Sequence, residues 1–474
     1  MPEHPSILYS RARELLLRHY GYPDFRPAQQ PVVRSILEGR DVLAVLPTGA
    51  GKSICFQLPA LALGGVTLVI SPLVALMQDQ VEGLRRRGIG AGAINSGVSA
   101  ADRKLLWDQV AAGRVQLLYC SPEGAPAVAE ALASRQQRVA LLAVDEAHCI
   151  VEWGHDFRPA YRTLGDLRAM LGQPPTVGLT GSATPAVRAD IQLQLRLKRP
   201  VVHVGSFDRP NLHFSVRPAR DLHRRLDLLA TLLQHRDGLT LVYAPTRALT
   251  EAVARVAADR GHVAMPYHAG LDQDSRRRIL QRFLNGELEV LAATSAFGMG
   301  IDKPDVRLVV HWTMPPSPES YYQEAGRAGR DGNAARCILL HTPGDAELHR
   351  RQMEVTFPPE RQLERIWQDS SARAGVPDNV LASADRLRAE LAPGRAPVDW
   401  RRVRARRRSA LERIEIMERY ALDMRCRRAA LVGYFGEELG SCSGCDWCDG
   451  GRKPESGVRR WINAVRQLHR RPRK

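Results

Sequence analysis

Cys426, Cys442, Cys445 and Cys448 are four residues whose type and spacing could hold a metal. The last three repeat at C-x-x-C spacing, and short C-x-x-C turns present thiolates in pairs, as tetrahedral zinc requires. Gly444 and polar neighbours suit such a turn, and Cys426 is expected on a helix one short segment upstream. The competing reading, four buried thiols, leaves the repeated spacing unexplained. Four thiolates leave no open coordination position, so the site reads as structural Zn2+.

A second set of residues could handle a nucleotide. Leu46-Pro-Thr-Gly-Ala-Gly-Lys-Ser53 follows an apolar strand pattern and opens a helical one. Glycines there let backbone N–H groups close around phosphate oxygens. The strict eight-residue form asks for Gly where Leu46 stands, so this is the P-T-G-x-G-K-S variant. Thr48, Gly49, Ala50, Gly51, Lys52 and Ser53 are the expected nucleotide-binding residues, with Lys52 on the β and γ phosphates and Ser53 on Mg2+. Asp145 and Glu146 end another apolar strand. Asp145 is placed to hold Mg2+ through water, and Glu146 to polarise the attacking water. An acidic pair after a strand is often only a cap; the upstream phosphate loop gives it weight. Gln323-Glu-Ala-Gly-Arg-Ala-Gly-Arg330 places Arg327 and Arg330 at a spacing that can aim both at one site. Arginine stabilises charge on a transferring phosphoryl group. A solvated basic turn is the alternative in so basic a chain.

The elements that must position these groups are legible as a pattern. Asp41–Leu46, Val66–Ile70, Val139–Val144, Leu239–Tyr243, Val290–Ala293 and Val306–Val310 are strand-length and largely apolar on both faces, and most precede a loop and a helical pattern. Parallel α/β sheets covered on both sides have this signature. Gly205–Asn211 reads as a connector between two α/β units. The uncharged stretch from Leu58 to Met77 is broken by Gly64-Gly65 and Ser71-Pro72, so it reads as a helix end, a turn and a buried strand rather than a membrane span. After Pro343 the strand runs stop and arginine rises. Val403, Ala410, Ile414, Met417 and Ala421 mark one side of a helix, and Ala392–Pro397 reads as a loop.

The chain has 474 residues, 44% hydrophobic and 25% charged, with 68 Lys+Arg against 51 Asp+Glu for a formal charge of +17, nearly all of it arginine. Such a balance favours a polyanionic partner, because binding phosphates releases counterions; an arginine-rich proteome would give the same count. No basic n-region or apolar h-region marks a signal peptide. Cys55, Cys120, Cys149 and Cys337 read as buried thiols of a reducing cytosol.

Taken in order, the motifs resemble those of the RecQ family of DNA helicases, within helicase superfamily 2. They are Gly21-Tyr22, Phe25-Arg-Pro-Ala-Gln29, the phosphate loop, Ser71–Met77, Tyr119–Glu123, Asp145–Ile150, Trp153–Pro159, Tyr267–Leu271, Ala296–Asp302, the arginine motif, Cys426-Arg-Arg and Tyr434–Glu437. The resemblance covers about residues 10–345 and 405–450. It implies an α/β fold of two RecA-like parallel-sheet lobes that bind ATP between them, followed by a helical zinc-binding region. The implied divisions are residues 1–207, 208–345, a helical insert of uncertain fold at 346–404, a zinc-binding subdomain at 405–450 and a basic tail at 451–474.

The resemblance further implies that Tyr22 stacks on adenine, with Arg26 and Gln29 reading its edge. Trp153, His155, Phe157 and Arg158 match an aromatic-rich loop that couples single-strand binding to hydrolysis, which agrees with the stacking faces aromatics offer to unpaired bases. Trp153 and Phe157 could otherwise be core residues. Implied also are translocation 3′ to 5′ on single-stranded DNA, unwinding of duplex or forked DNA in repair and recombination, and a cytoplasmic, nucleoid-associated monomer meeting single-strand-binding or repair proteins.

Two departures from the family pattern stand out. Leu179-Thr-Gly-Ser-Ala183 has Gly181 where the family usually has alanine, which is expected to add backbone freedom. Residues 358–400 match nothing in the pattern and could form a helical or winged-helix-like insert, or a linker. Only a short basic tail follows the cysteines, which leaves a second reading open: a translocase or remodeller that unwinds poorly. A non-catalytic adaptor is disfavoured by Lys52, Glu146 and Arg330, and no residue singled out here reads a 2′-hydroxyl as an RNA enzyme would. The run Arg401–Arg408 is either a solvated helix face or a DNA-backbone contact.

Overall fold

In a computed structural model the chain is described over residues 3–95, 97–151, 158–298, 301, 303–369, 371–391 and 398–450. Trp153, His155 and Phe157 of the aromatic-rich loop, Met299, Gly300 and Asp302, the 392–397 loop and the basic tail lie outside these residues. The chain divides into two units, Met1–Phe207 and Asp208–Lys474.

The first unit is built on strands β1 Val42–Val45, β2 Val66–Ile70, β3 Ala91–Ile94, β4 Leu117–Cys120, β5 Val139–Val144, β6 Thr176–Thr180 and β7 Val201–Val204. They form one sheet in the order β3-β4-β2-β5-β6-β1-β7, every pairing parallel. The runs Val-Leu-Ala-Val and Val-Ala-Leu-Leu-Ala-Val are buried at every position because helices cover both faces. Val42, Ala44, Val69, Leu141, Ala143, Val177 and Leu179 pack with Phe56 and Met77 in one core cluster. The order places β2, β5, β6 and β1 side by side. A parallel sheet sends all its carboxyl ends to one edge, so the loops after these four strands meet there.

The second unit carries β8 Leu212–Pro218, β9 Leu239–Tyr243, β10 Ala264–Tyr267, β11 Val290–Ala293, β12 Val306–His311 and β13 Ala335–His341. Their order is β10-β11-β9-β12-β13-β8, again all parallel. Helices Asp345–Thr356, Glu360–Gln368, Asp378–Leu391, Trp400–Leu422 and Arg427–Tyr434 follow. Val403, Ala410, Ile414, Met417 and Ala421 are all buried on the long helix. Among the described residues the 345–391 segment holds helices and no strand. Its helices share a small core of Phe357, Leu363, Ile366, Ala384, Leu387 and Leu391 with Val403 and Ala410. Among the described residues no helix is long and apolar enough to cross a membrane.

Candidate active site and metal centre

The phosphate loop leaves β1 and enters helix Ile54–Leu63. Gly49 (φ +84°) and Gly51 (φ +78°) adopt left-handed backbone that other residues resist. At Gly51 a side chain would also collide with Gln29, whose Nε2 lies 2.5 Å from where a Cβ would sit. Gln29 is buried and donates from Nε2 to the carbonyls of Ala50 (2.8 Å) and Gly51 (3.1 Å). Its Oε1 accepts from the Arg26 N–H (2.9 Å), and Arg26 Nη1 donates to the Gly49 carbonyl (2.7 Å). Arg26 and Gln29 therefore brace the loop itself here, while Tyr22 is half exposed and offers an open ring face.

Lys52 Nζ donates to the Leu46 carbonyl at 3.4 Å. Gly181 follows β6 and faces the same atom: a Cβ there would stand 3.2 Å from Lys52 Nζ and 3.6 Å from Thr48 Oγ1. Gly181 is not among the glycines with left-handed backbone. What it gives in this structure is room beside Lys52.

Asp145 and Glu146 end β5. Burial pushes the Asp145 carboxyl up to about 7; Glu146 adds to the rise and Lys52 opposes it, which places the three charges together. Glu146 has φ +47°, a left-handed conformation worth about 1–3 kcal/mol of local strain in a residue other than glycine. His148 is buried, with Nδ1 3.3 Å from Glu146 Oε2 and 3.0 Å from Thr180 Oγ1, and Ser182 N donates back to Thr180 Oγ1 (3.3 Å). This chain from the acidic pair to the Gly181 turn was not apparent in the sequence. A histidine three residues after a strand-end aspartate was its only signal. A carboxyl whose ionisation is opposed by burial and by a second acid is an oxygen donor that a hard cation such as Mg2+ would stabilise as carboxylate. Arg158, the described member of the aromatic-rich loop, is half-buried, and its N–H donates to the Cys149 carbonyl (2.9 Å).

In the second unit Gln323 lies on helix Pro318–Ala325, and Arg327 and Arg330 in the loop after it. Arg327 is buried, close to Gly298, where a Cβ would meet its Nη2 at 3.0 Å. Arg330 Nη1 donates to the Ile301 carbonyl (2.6 Å). The Tyr243 hydroxyl donates to the Phe297 carbonyl (2.9 Å), and the Tyr243 ring stacks on His311.

The four cysteine sulfurs lie within 4.8 Å of one another, with Cys426 and Cys445 at 4.0 Å. Tetrahedral zinc with Zn–S of about 2.3 Å asks for sulfurs about 3.8 Å apart, so the donor set fits. The sulfur–sulfur hydrogen bond shared with Cys426 lowers the Cys445 thiol, against burial and with help from the N–H groups of Cys448 and Arg427. Cys426 is not within a helix as expected. It is the N-cap of helix Arg427–Tyr434, where its sulfur accepts from the Ala429 N–H (3.4 Å).

The metal centre is also built into the sheet. Cys445 forms a parallel bridge to Phe214 of edge strand β8, Asp446 N donates to the Phe214 carbonyl (3.1 Å), and Asp446 Oδ2 accepts from Val216 N (2.8 Å). It thus covers an edge that would otherwise present unpaired backbone groups. Arg428, 1% exposed, pairs with Asp208 at 2.7 Å.

Two parallel-sheet units, one with a phosphate loop and an acidic strand end and the other with an arginine loop, define a RecA-like helicase core. Residues 26–191 match the DEAD/DEAH box helicase model, 224–332 the helicase conserved C-terminal domain, and 394–449 the RecQ zinc-binding domain. The chain is 37% identical to a probable ATP-dependent DNA helicase RecS of Bacillus subtilis, covering 92% of each. It is 35% identical to the ATP-dependent DNA helicase RecQ of Pasteurella multocida, over 94% of this chain but 63% of that one. The RecQ of Bacillus subtilis is 42% identical over 75% of this chain and 60% of its own. The chain belongs to the RecQ family of ATP-dependent DNA helicases. Among solved structures, the helicase MrfA bound to DNA (TM-score 0.59, 20% identity, 76% of this chain and 53% of that one) shares the fold. So does Mss116p bound to single-stranded RNA and AMP-PNP (TM-score 0.59, 16% identity, 86% and 90%).

Proposed function

We propose that this protein is an ATP- and Mg2+-dependent helicase that moves 3′ to 5′ on single-stranded DNA and opens duplex or forked DNA in repair and recombination. The observation that carries the reading is the meeting of Lys52, Asp145, Glu146 and Gly181 at the carboxyl edge of one parallel sheet. Lys52 and the loop N–H groups hold the phosphates, and Glu146, oriented by His148, polarises water. Gln323, Arg327 and Arg330 serve the transferring phosphoryl group, and Tyr22 stacks on the base. Ser53 and Asp145 would hold Mg2+, which when bound supplies charge neutralisation on the phosphate oxygens. Trp153, His155, Phe157 and Arg158 are assigned to the single strand. The cytoplasm is the proposed setting, near the nucleoid, with the protein acting as a monomer beside single-strand-binding or repair proteins. Forks with a 3′ or a 5′ single-stranded tail test the reading: strand separation is expected with the 3′ tail and ATP. Displacement of bound protein without strand separation assigns the translocase instead, and the same rate on both tails rejects the polarity.

The arginine run contributes less than its count implies. Arg406 is buried against Glu390 (2.7 Å) and Arg404 pairs with Glu360 (3.0 Å), while Arg401, Arg407 and Arg408 are exposed. Reversing those three to glutamate is expected to flatten the salt dependence of single-strand binding by about 0.7 per lost phosphate contact. A log–log salt titration that keeps its wild-type slope removes this surface from the DNA path.

A further inference from the structure

The loop that carries Arg327 and Arg330 is held from behind by another arginine. Arg209 Nη1 donates to the Gly326 carbonyl (3.3 Å), and its Nη2 to those of Ala328 (3.0 Å) and Gly329 (2.9 Å). These carbonyls flank Arg327 and directly precede Arg330. Asn211 Nδ2 adds a second bond to Gly329 and one to Asn333, both 2.8 Å. Arg209 is in turn fixed by Arg428, whose Nη1 donates to the Arg209 carbonyl (2.6 Å) and to Asp208 Oδ1 (2.7 Å). The other Arg428 nitrogen donates to the carbonyls of Leu212 and Gly444. Gly444 lies in the turn between Cys442 and Cys445, and Arg428 is two residues past Cys426. Two side chains thus join the four-cysteine cluster to the arginine loop.

We propose that Arg209, anchored by Arg428 against the cysteine cluster, is a positioning residue for Arg327 and Arg330, so that the zinc region governs ATP turnover as well as fold. The inference rests on the reading that these two arginines act on the transferring phosphoryl group. The loop needs such a clamp. Gly326 and Gly329 flank the Arg327-Ala328 pair, and Gly329 sits at φ +52° with Asn211 Nδ2 2.5 Å from where a Cβ would be. A planar guanidinium fixes several carbonyls at once, which an ammonium on a flexible stem does not. Displacing a charge-stabilising group by about 1 Å can cost about a hundred-fold in rate.

Full-length Arg209→Ala, Arg209→Lys, Arg327→Ala, Arg330→Ala and the Arg209→Ala/Arg327→Ala double variant are compared for DNA-stimulated ATP hydrolysis, zinc content and melting midpoint. Arg209→Ala is expected to lower kcat at least about ten-fold, with KM for ATP within about three-fold of wild type and zinc retained. The double variant is expected to be no slower than Arg327→Ala within about two-fold, because residues acting as a unit are not additive. Unchanged kcat in Arg209→Ala, or losses that multiply in the double variant, would overturn the inference while leaving the arginine motif in place. Unchanged kcat in both Arg327→Ala and Arg330→Ala would instead overturn the underlying reading, and this one with it. Should Arg209→Ala lose zinc, Arg209→Lys decides: turnover down at least about three-fold with zinc intact supports the clamp, and wild-type turnover rejects it.

Discussion

Replacing Cys445 by serine is expected to release the zinc and to take the fold of the second unit with it. A serine hydroxyl is a poor substitute for a thiolate that Zn2+ prefers. The size of the effect follows from where the residue sits. Cys445 is fully buried and belongs to the same core cluster as Phe214, Tyr321, Cys337 and Tyr420, and it bridges to edge strand β8. Zinc binding at four-ligand structural sites is worth about 10–16 kcal/mol in isolated peptides, as much as the whole stability of a typical domain. Were the cysteines an appendage on the surface, their loss would melt only the local turn and leave ATPase activity intact. Packed as they are, loss of the metal exposes the β8 edge and part of the sheet core. The measurements are metal stoichiometry, soluble yield and stimulated ATP turnover of the variant. A zinc-free Cys445→Ser protein that stays soluble and turns over ATP at the wild-type rate would show that the packing does not depend on the metal.

The same packing explains what could and could not be read from the amino-acid order. Strands such as Val139–Val144 are apolar on both faces, and that pattern has few other solutions than a covered parallel sheet. Ala91–Ile94 and Ala264–Tyr267 lie at sheet edges, are partly exposed, and carry too short an apolar signal to stand out. The long helix Trp400–Leu422 repeats its buried positions over enough turns to be recognised. Glu360–Gln368 buries only Leu363 and Ile366, and two positions do not define a period. At the candidate site the residue types of the phosphate loop, the acidic pair and the cysteines were legible because their spacing is local. The contacts of His148 with Thr180, of Gln29 with the phosphate loop, and of Arg209 with Gly326–Gly329 are not. They join residues separated by 21 to 120 positions, and one half-buried arginine in a chain this rich in arginine carries no mark of its own.

Lys52→Ala is expected to abolish DNA-stimulated ATP hydrolysis while leaving DNA binding measurable. Lys52 is the cation of the phosphate loop, set against the Leu46 carbonyl and close enough to Asp145 to hold down its carboxyl. Losing one well-placed donor to developing charge costs about 10²–10³ in turnover, or about 2.7–4 kcal/mol. Here the loss is compounded. Asp145 and Glu146 are two acids in a partly desolvated site, and losing Lys52 removes the largest of the interactions that offset their repulsion. The fold should survive: Lys52 lies in the turn before the helix, and the loop's own braces, from Gln29 and Arg26 to the carbonyls of residues 49–51, do not involve the lysine side chain. Single-strand affinity is expected to persist because the residues assigned to DNA, Arg158 and the exposed arginines of helix Trp400–Leu422, keep their charge. Phosphate release with and without single-stranded DNA, alongside fluorescence-polarisation binding of the same strand, separates the two effects. Stimulated turnover within about ten-fold of wild type would move the catalytic cation elsewhere, since no uncompensated loss of this donor is that small.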